Sequence, residues 1–209
     1  MPVFGGRDDF PVRRIKSIEL GDSSNSCAVE ICSHLGTHID APRHFFTAGQ
    51  AITTYPAEFF AFSQPYVIHV SLQPSELVTK DIMRPWEIPA DCDLLLFKSG
   101  WTALRQQPVY CNENPGISPE VATLLRENFP ALRAIGIDWL SVSAYRQREL
   151  GRKAHKILLD SDSRTHPVLP IEDMDLSCNL DGLSRVTVAP FRVEEFDSAP
   201  CTVLGEWHD

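Results

Sequence analysis

The stretch Ser33-His34-Leu35-Gly36-Thr37-His38-Ile39-Asp40-Ala41-Pro42-Arg43-His44-Phe45 places three of the chain's seven histidines and one aspartate within eleven residues. Imidazole nitrogens and carboxylate oxygens together suit Zn²⁺, Mn²⁺ or a similar divalent ion. His34 and His38 stand four apart, as in helical zinc sites, but Gly36 and Thr37 between them and Pro42 beyond disfavour a helix. Read as an extended strand, the segment turns His34, Gly36, His38 and Asp40 to one face and Leu35, Thr37, Ile39 and Ala41 to the other. On that reading Gly36, without a Cβ, leaves room for an ion between the two imidazoles. A cluster of this kind is costly to bury without a partner, so the stretch predicts a metal site.

The totals set the frame. A chain of 209 residues, 43% hydrophobic and 22% charged, is long enough for one sizeable core, and a single domain over 1–209 is expected. The net charge of −9 argues against nucleic acid or an anionic membrane as partner and favours a small-molecule substrate. No basic leader followed by an apolar run opens the chain, and no stretch reaches the ~18 apolar residues of a membrane span, so a cytoplasmic protein is expected. The six cysteines lack Cys-X-X-Cys spacing and read as small buried hydrophobes.

Working outward from the histidines, residues 1–12 read as an irregular N-terminal arm anchored by Phe4 and Phe10. The segments 13–20 and 26–33 predict a hairpin whose second strand feeds straight into the metal stretch. Phe59, Phe60 and Phe62 suit a core or an interface between copies. The runs 65–72 and 92–101 are apolar strands, with His69 expected as a core histidine. Ser118, Pro119 and Glu120 mark a helix start, with Val121, Leu124, Leu125, Phe129 and Leu132 as its buried face. A buried strand over 134–143, a charged helix over 145–159, a half-buried strand at 185–194 that Pro190 restricts to an edge or a bulge, and a last strand at 201–205 complete the chain. From spacing alone, His155 reads as a surface residue of that helix and Glu172 as a loop charge.

The motif His-X-Gly-Thr-His-X-Asp-Ala-Pro-X-His-Phe resembles the signature of the metal-dependent cyclase-like amidohydrolases, which include the bacterial kynurenine formamidases (arylformamidases) and, as relatives, the isatin hydrolases. The resemblance continues through Lys98-Ser99-Gly100-Trp101, Gly136-Ile137-Asp138 with Ser143 where the family has an aspartate, and the C-terminal strand. It implies that His34, His38 and Asp40 bind the metal and that His44 donates and accepts protons. It also implies metal-binding roles for His155, which precedes a leucine pair, and for Glu172. Glu172 follows His155 at seventeen residues rather than twelve, and the additional residues include Asp160, Asp162 and His166 as competing ligands. Phe4 occupies the place of an arm aromatic, usually Trp, that stacks on the substrate; docking the arm on the core is its other reading. The implied fold is α/β, a single mixed domain with a β-barrel-like sheet and flanking helices of the swivelling β/β/α type. The implied cofactor is a divalent metal, Zn²⁺ with Mn²⁺ as the alternative, at one or two ions per chain. The implied assembly is a homo-oligomer, dimer or tetramer.

Chemistry follows from these residues. The chain lacks a reactive-cysteine motif, a Gly-X-Ser-X-Gly elbow and a phosphate-binding glycine loop, so a metal-activated water is the expected nucleophile. A histidine four positions past Asp40 and beyond Pro42 can sit beside the ion and shuttle protons near neutral pH, which makes His44 the general acid/base. The activity that the resemblance implies is hydrolysis of a C–N amide bond, arylformamidase-like, on N-formylkynurenine or a related aryl amide. The alternatives are a lactam or lactone hydrolase or cyclase, and a metal-binding homologue without catalysis.

Overall fold

In the computed structural model, which describes residues 1–7 and 10–207, the metal stretch lies at the middle of the sheet. Asp8 and Asp9 of the arm lie outside the described residues. In chain order the strands begin with β1 (Pro2–Val3), β2 (Gly6–Arg7), β3 (Val12–Lys16), β4 (Ser26–Val29), β5 (His38–Asp40), β6 (Ala61–Phe62) and β7 (Pro65–His69). They continue with β8 (Leu77–Val78), β9 (Leu94–Lys98), β10 (Gly116–Ile117), β11 (Ala134–Ile137), β12 (Leu169–Glu172), β13 (Leu183–Pro190) and β14 (Ser198–Trp207). The α-helices are α1 (Lys80–Met83), α2 (Pro108–Asn112), α3 (Pro119–Asn128) and α4 (Arg148–Leu159).

Eight strands form one mixed sheet in the order β6-β13-β14-β5-β12-β11-β9-β7, and β13 packs back towards β7, so the sheet nearly closes into a barrel. Strands β7, β9, β11 and β12 run parallel, while β5 is antiparallel to both β12 and β14. The parallel strands are continuous apolar runs because both faces are covered: Leu94–Phe97 and Ala134–Ile137 are wholly buried. Ser118 accepts a hydrogen bond from the Val121 N–H at 3.3 Å and starts α3, whose Val121 and Leu125 are buried in the core. Helices α3 and α4 pack against each other beside the sheet, and among the described residues no helix is long and apolar enough to cross a membrane.

Several local expectations change. The strand of the metal stretch covers only His38–Asp40; Ser33–Thr37 is a succession of turns and bends, so His34 does not share a strand face with the others. Gly36 adopts φ +67°, a conformation glycine takes at little cost, and its carbonyl accepts the Nδ1–H of His38 at 2.7 Å. It serves to turn the chain and to fix an imidazole, not to open space for an ion. The second hairpin strand stops at Val29 and pairs only with β3, so it does not feed into β5. The arm contains the short pair β1–β2, and Phe4 and Phe10 are both exposed. His69 is exposed on the edge strand β7, with its ring 6.2 Å from Trp86, because β7 has a neighbour on one side only.

Gly151 shows how closely α4 is seated. A Cβ there would overlap the Ser143 Cα, Cβ and Oγ, so the helix meets the loop after β11 with no room for a methyl group. Gly151→Ala is expected to destabilise the chain by about 1–3 kcal/mol through overpacking, read from denaturant unfolding. An unchanged midpoint would show that the contact relaxes freely.

Candidate metal centre

Register builds the centre. In β5, His38 and Asp40 point to one face and Ile39 to the core, as alternation requires. On β12, Glu172 lies directly opposite His38, which puts a carboxylate beside the imidazole. On the other side Ser198 of β14 pairs with Asp40, and the Ala41 N–H donates to the Asp197 carbonyl at 2.9 Å, which brings Asp197 to the edge of the cluster. Helix α4 delivers His155 from above. His38, Asp40, His155 and Glu172 are each no more than 3% exposed, whereas His34 and His44 are half-buried at the mouth.

Three histidines share one design: each donates one ring N–H outward and aims the other nitrogen inward. The Nδ1–H of His38 is held by the Gly36 carbonyl. The Nδ1–H of His155 donates to the Gly151 carbonyl at 3.1 Å, with the Ser143 hydroxyl at the same distance. The Nε2–H of His34 donates to Asp197 Oδ2 at 3.0 Å. The inward atoms then face carboxylates: His34 Nδ1 lies 3.2 Å and His38 Nε2 3.7 Å from Asp40 Oδ1, and His155 Nε2 lies 3.6 Å from Asp40 Oδ2. Glu172 sits 3.1 Å from His155 Nε2 through Oε1 and 3.4 Å from His38 Nε2 through Oε2. Its Oε1 is also fixed by the Val142 N–H at 2.7 Å and the Ser141 hydroxyl at 3.2 Å.

The donor set fits a divalent ion. His38 Nε2 and both oxygens of Asp40 are buried without a hydrogen-bond partner, which is expensive unless something else satisfies them. Two ligand atoms each ~2.1 Å from a tetrahedral ion are about 3.4 Å apart, and the spacings above, 3.1 to 3.7 Å, bracket that value. Outward N–H groups held by oxygens are the usual support of ligating imidazoles. Three groups meet the requirement of mutual proximity: His34, His38 and Asp40; Asp40, His155 and Glu172, which shares Asp40 with the first; and, at the half-buried mouth, His34, His44 and Asp197.

Without an ion, protons supply the positive charge. Burial works against protonated His34, but Asp40 and Asp197 outweigh it and raise its pKa to about 11. Burial likewise opposes His155, which Asp40 and Glu172 raise to about 10. Burial and Asp40 push the Glu172 carboxyl up, and His155 and His38 bring it down to about 2. Hydrogen bonds from His34 and His44 hold Asp197 well below the usual carboxylate range.

The structure brings all six histidine and carboxylate candidates into one region. His155 and Glu172 are buried in the cluster, contrary to the surface and loop positions their spacing suggests, because β12 pairs with β5 and α4 packs against β12. Of the competing residues, His166 bonds the Leu132 carbonyl at 2.8 Å, and neither it nor Asp160 or Asp162 belongs to a ligand group among the described residues. The Ser143 hydroxyl lies 3.1 Å from His155 Nδ1 and supports that ring. Asp197 was not visible in the sequence: its Oδ2 lies 3.0 Å from His34 Nε2 and 3.1 Å from His44 Nδ1, and only the pairing of β14 with β5 places it there. Phe4 lines the same cavity of about 430 Å³ while its ring packs at a tilt against Tyr145, 5.1 Å between centroids, so docking and lining coexist.

The family model described as "Cyclase: Putative cyclase" matches residues 1–144. The chain belongs to this cyclase family. The kynurenine formamidase of Geobacillus thermodenitrificans is 29% identical over 151 residues, covering 72% of this chain and 68% of that protein. Cyclase-like protein 3 of Arabidopsis thaliana is 24% identical over 195 residues, covering 90% and 68%. Among solved structures, isatin hydrolase A from Labrenzia aggregata bound to benzyl benzoate superposes with a TM-score of 0.80 at 24% identity, covering 98% of this chain and 88% of that one. An isatin hydrolase bound to the product analogue thioisatinate gives 0.75 at 19% identity, covering 96% and 82%. The cyclase-family domain therefore has the isatin hydrolase fold, a nearly closed mixed barrel with flanking helices.

The raised imidazoles give a pH test. A group whose folded pKa lies above its unfolded value of 6.5 contributes stability fully below that value and loses it as pH rises through the folded pKa, here about 11 for His34 and about 10 for His155. Glu172, lowered from 4.5 to about 2, contributes above 4.5 and loses its share as pH falls through 2. Chelator-treated protein should therefore show a melting temperature that declines steadily from pH 6.5 towards 10. A rise over that interval would contradict the charge arrangement.

Proposed function

We propose that this cyclase-family protein is a metal-dependent hydrolase of aryl amides, with N-formyl aryl amines as the first substrate class. The observation that carries the reading is the set of buried, unpartnered atoms at His38 and Asp40, surrounded by imidazoles whose outer nitrogens are already engaged. His34, His38 and Asp40 would hold one divalent ion and Asp40, His155 and Glu172 a second, with Zn²⁺ first and Mn²⁺ next by donor chemistry. Such an ion, when bound, lowers the pKa of water and polarises a carbonyl oxygen.

The remaining work falls to the chain. Asp197 accepts the Nδ1–H of His44 at 3.1 Å, which fixes the ring and leaves Nε2 to take a proton and return it to the departing nitrogen. Because the same oxygen accepts from His34, the acid/base group and a proposed ligand are set relative to one another by one carboxylate. Phe4, Phe45, Val3 and Leu140 give the cavity apolar walls suited to a flat ring. Phe45 also stacks on His155 at 5.0 Å and holds that imidazole in place. The likeness to a kynurenine formamidase supports an aryl formamide, and the exposed Phe4 supports a substrate with an aromatic part.

Hydrolysis of a panel of N-formyl aryl amines, lactams and lactones, measured with wild type and His44→Ala at equal metal content, tests the reading. Turnover of an N-formyl aryl amine should fall by roughly 10²- to 10⁴-fold in His44→Ala while bound metal is retained. Parallel loss of metal would make His44 a ligand. No turnover of any panel member with Zn²⁺ or Mn²⁺ would favour a binding protein without catalysis.

A further inference from the structure

The mouth of the metal centre carries a set of convergent ligand atoms separate from those around Asp40. Asp197 Oδ2 lies 3.0 Å from His34 Nε2 and 3.1 Å from His44 Nδ1, and the two rings stand 4.1 Å apart between centroids. One ligand atom from each of the three residues lies within 4.8 Å of the other two. The second oxygen of the carboxylate, Oδ1, accepts the Ser33 hydroxyl at 3.0 Å, which holds the group in place. The side chains of His34, His44 and Asp197 are 26%, 28% and 36% exposed, so this set is reached from solvent without opening the fold. Two imidazole nitrogens and a carboxylate oxygen, with an open side for water, are a three-ligand set that Zn²⁺ accepts.

Loading these atoms has a chemical consequence at His44. In the neutral ring, Nδ1–H donates to Asp197 and Nε2 keeps the lone pair that takes a proton. An ion at the mouth needs the lone pair of Nδ1 instead. The ring proton then sits on Nε2, and the atom that should accept a proton already holds one. His34 must also release its Nε2 proton to solvent, because its Nδ1 is turned inward to Asp40 at 3.2 Å. That requirement, together with repulsion from an ion further in, makes the mouth the weaker site, so it fills after the inner groups.

We infer that the mouth takes up a separate, inhibitory divalent ion through His34 Nε2, His44 Nδ1 and Asp197 Oδ2, an inference that rests on the acid/base role proposed for His44. The same three side chains serve two states. With protons between them, Asp197 orients His44 for proton transfer. With an ion between them, His44 is locked in the tautomer that cannot accept. Excess metal thus shuts down the enzyme that limiting metal activates.

Equilibrium dialysis of full-length protein against rising free Zn²⁺, with bound metal counted by mass spectrometry, tests the inference. Uptake should level off at the inner groups and then rise by one further ion per chain when Zn²⁺ is in excess. Hydrolysis of an N-formyl aryl amine should fall with that second rise, by roughly 10²-fold at saturation. In the same step the ¹⁵N resonances of His44 should report the ring proton moving from Nδ1 to Nε2, a readout independent of activity. Asp197→Asn, whose amide oxygen still accepts an N–H, and His44→Ala should keep the first plateau and lose the second. His69→Ala removes an exposed imidazole elsewhere and should keep both. A single plateau in the wild type would overturn the inference and leave the proposed function standing, whereas no bound metal at any concentration would overturn both. A further ion that leaves turnover or the His44 tautomer unchanged, or that His44→Ala retains, would overturn the inference as well. If the substitutions disturb folding, the tautomer of His44 in the wild type decides alone.

Discussion

The carboxylate of Asp40 is the constraint on which the rest of the site depends. It is 1% exposed and both of its oxygens lack a hydrogen-bond donor, a state a protein does not tolerate at a central strand unless positive charge compensates it. The fold supplies that compensation from three directions: His38 from the same strand face, His34 from the preceding turn and His155 from α4. Each imidazole is committed by an outer hydrogen bond to present its other nitrogen inward. The barrel is thus more than a support. The antiparallel pairing of β5 with β12 and β14 decides which residues can reach Asp40, and the close seating of Gly151 on Ser143 decides how far α4 can approach.

Much of this was legible in the sequence, for reasons that differ by residue. His38 and Asp40 were readable because a strand imposes alternation and the two lie within it. The density of the histidine stretch marked His34 and His44 as well, whereas only the family likeness marked His155 and Glu172, which no local rule would have joined. Alternation does not carry back to His34, because the positive φ at Gly36 breaks the extended run. His155 looked like a surface residue because helix α4 is rich in charge, yet its buried stripe of Gly151, Ala154, His155 and Leu158 faces β12 and the loop after β11. Asp197 was missed altogether, since its position depends on strand pairing across more than 150 residues and no periodicity reports that.

Asp197 also changes how the site is understood chemically. A carboxylate that accepts from both His34 and His44 couples a group inside the cluster to one at its mouth. Displacement of either ring is felt by the other, so acid/base geometry and the inner cluster are one unit rather than two adjacent ones.

Asp40 joins two groups of ligand atoms, and metal content measures that joining directly. Protein purified without added metal or chelator, analysed by mass spectrometry as wild type and as Asp40→Asn, separates the possibilities. Asp40→Asn keeps the volume of the side chain and removes its charge, so the account predicts metal in the wild type and loss of all of it in the variant, with the fold retained by circular dichroism. Metal content equal to wild type in Asp40→Asn would contradict the account.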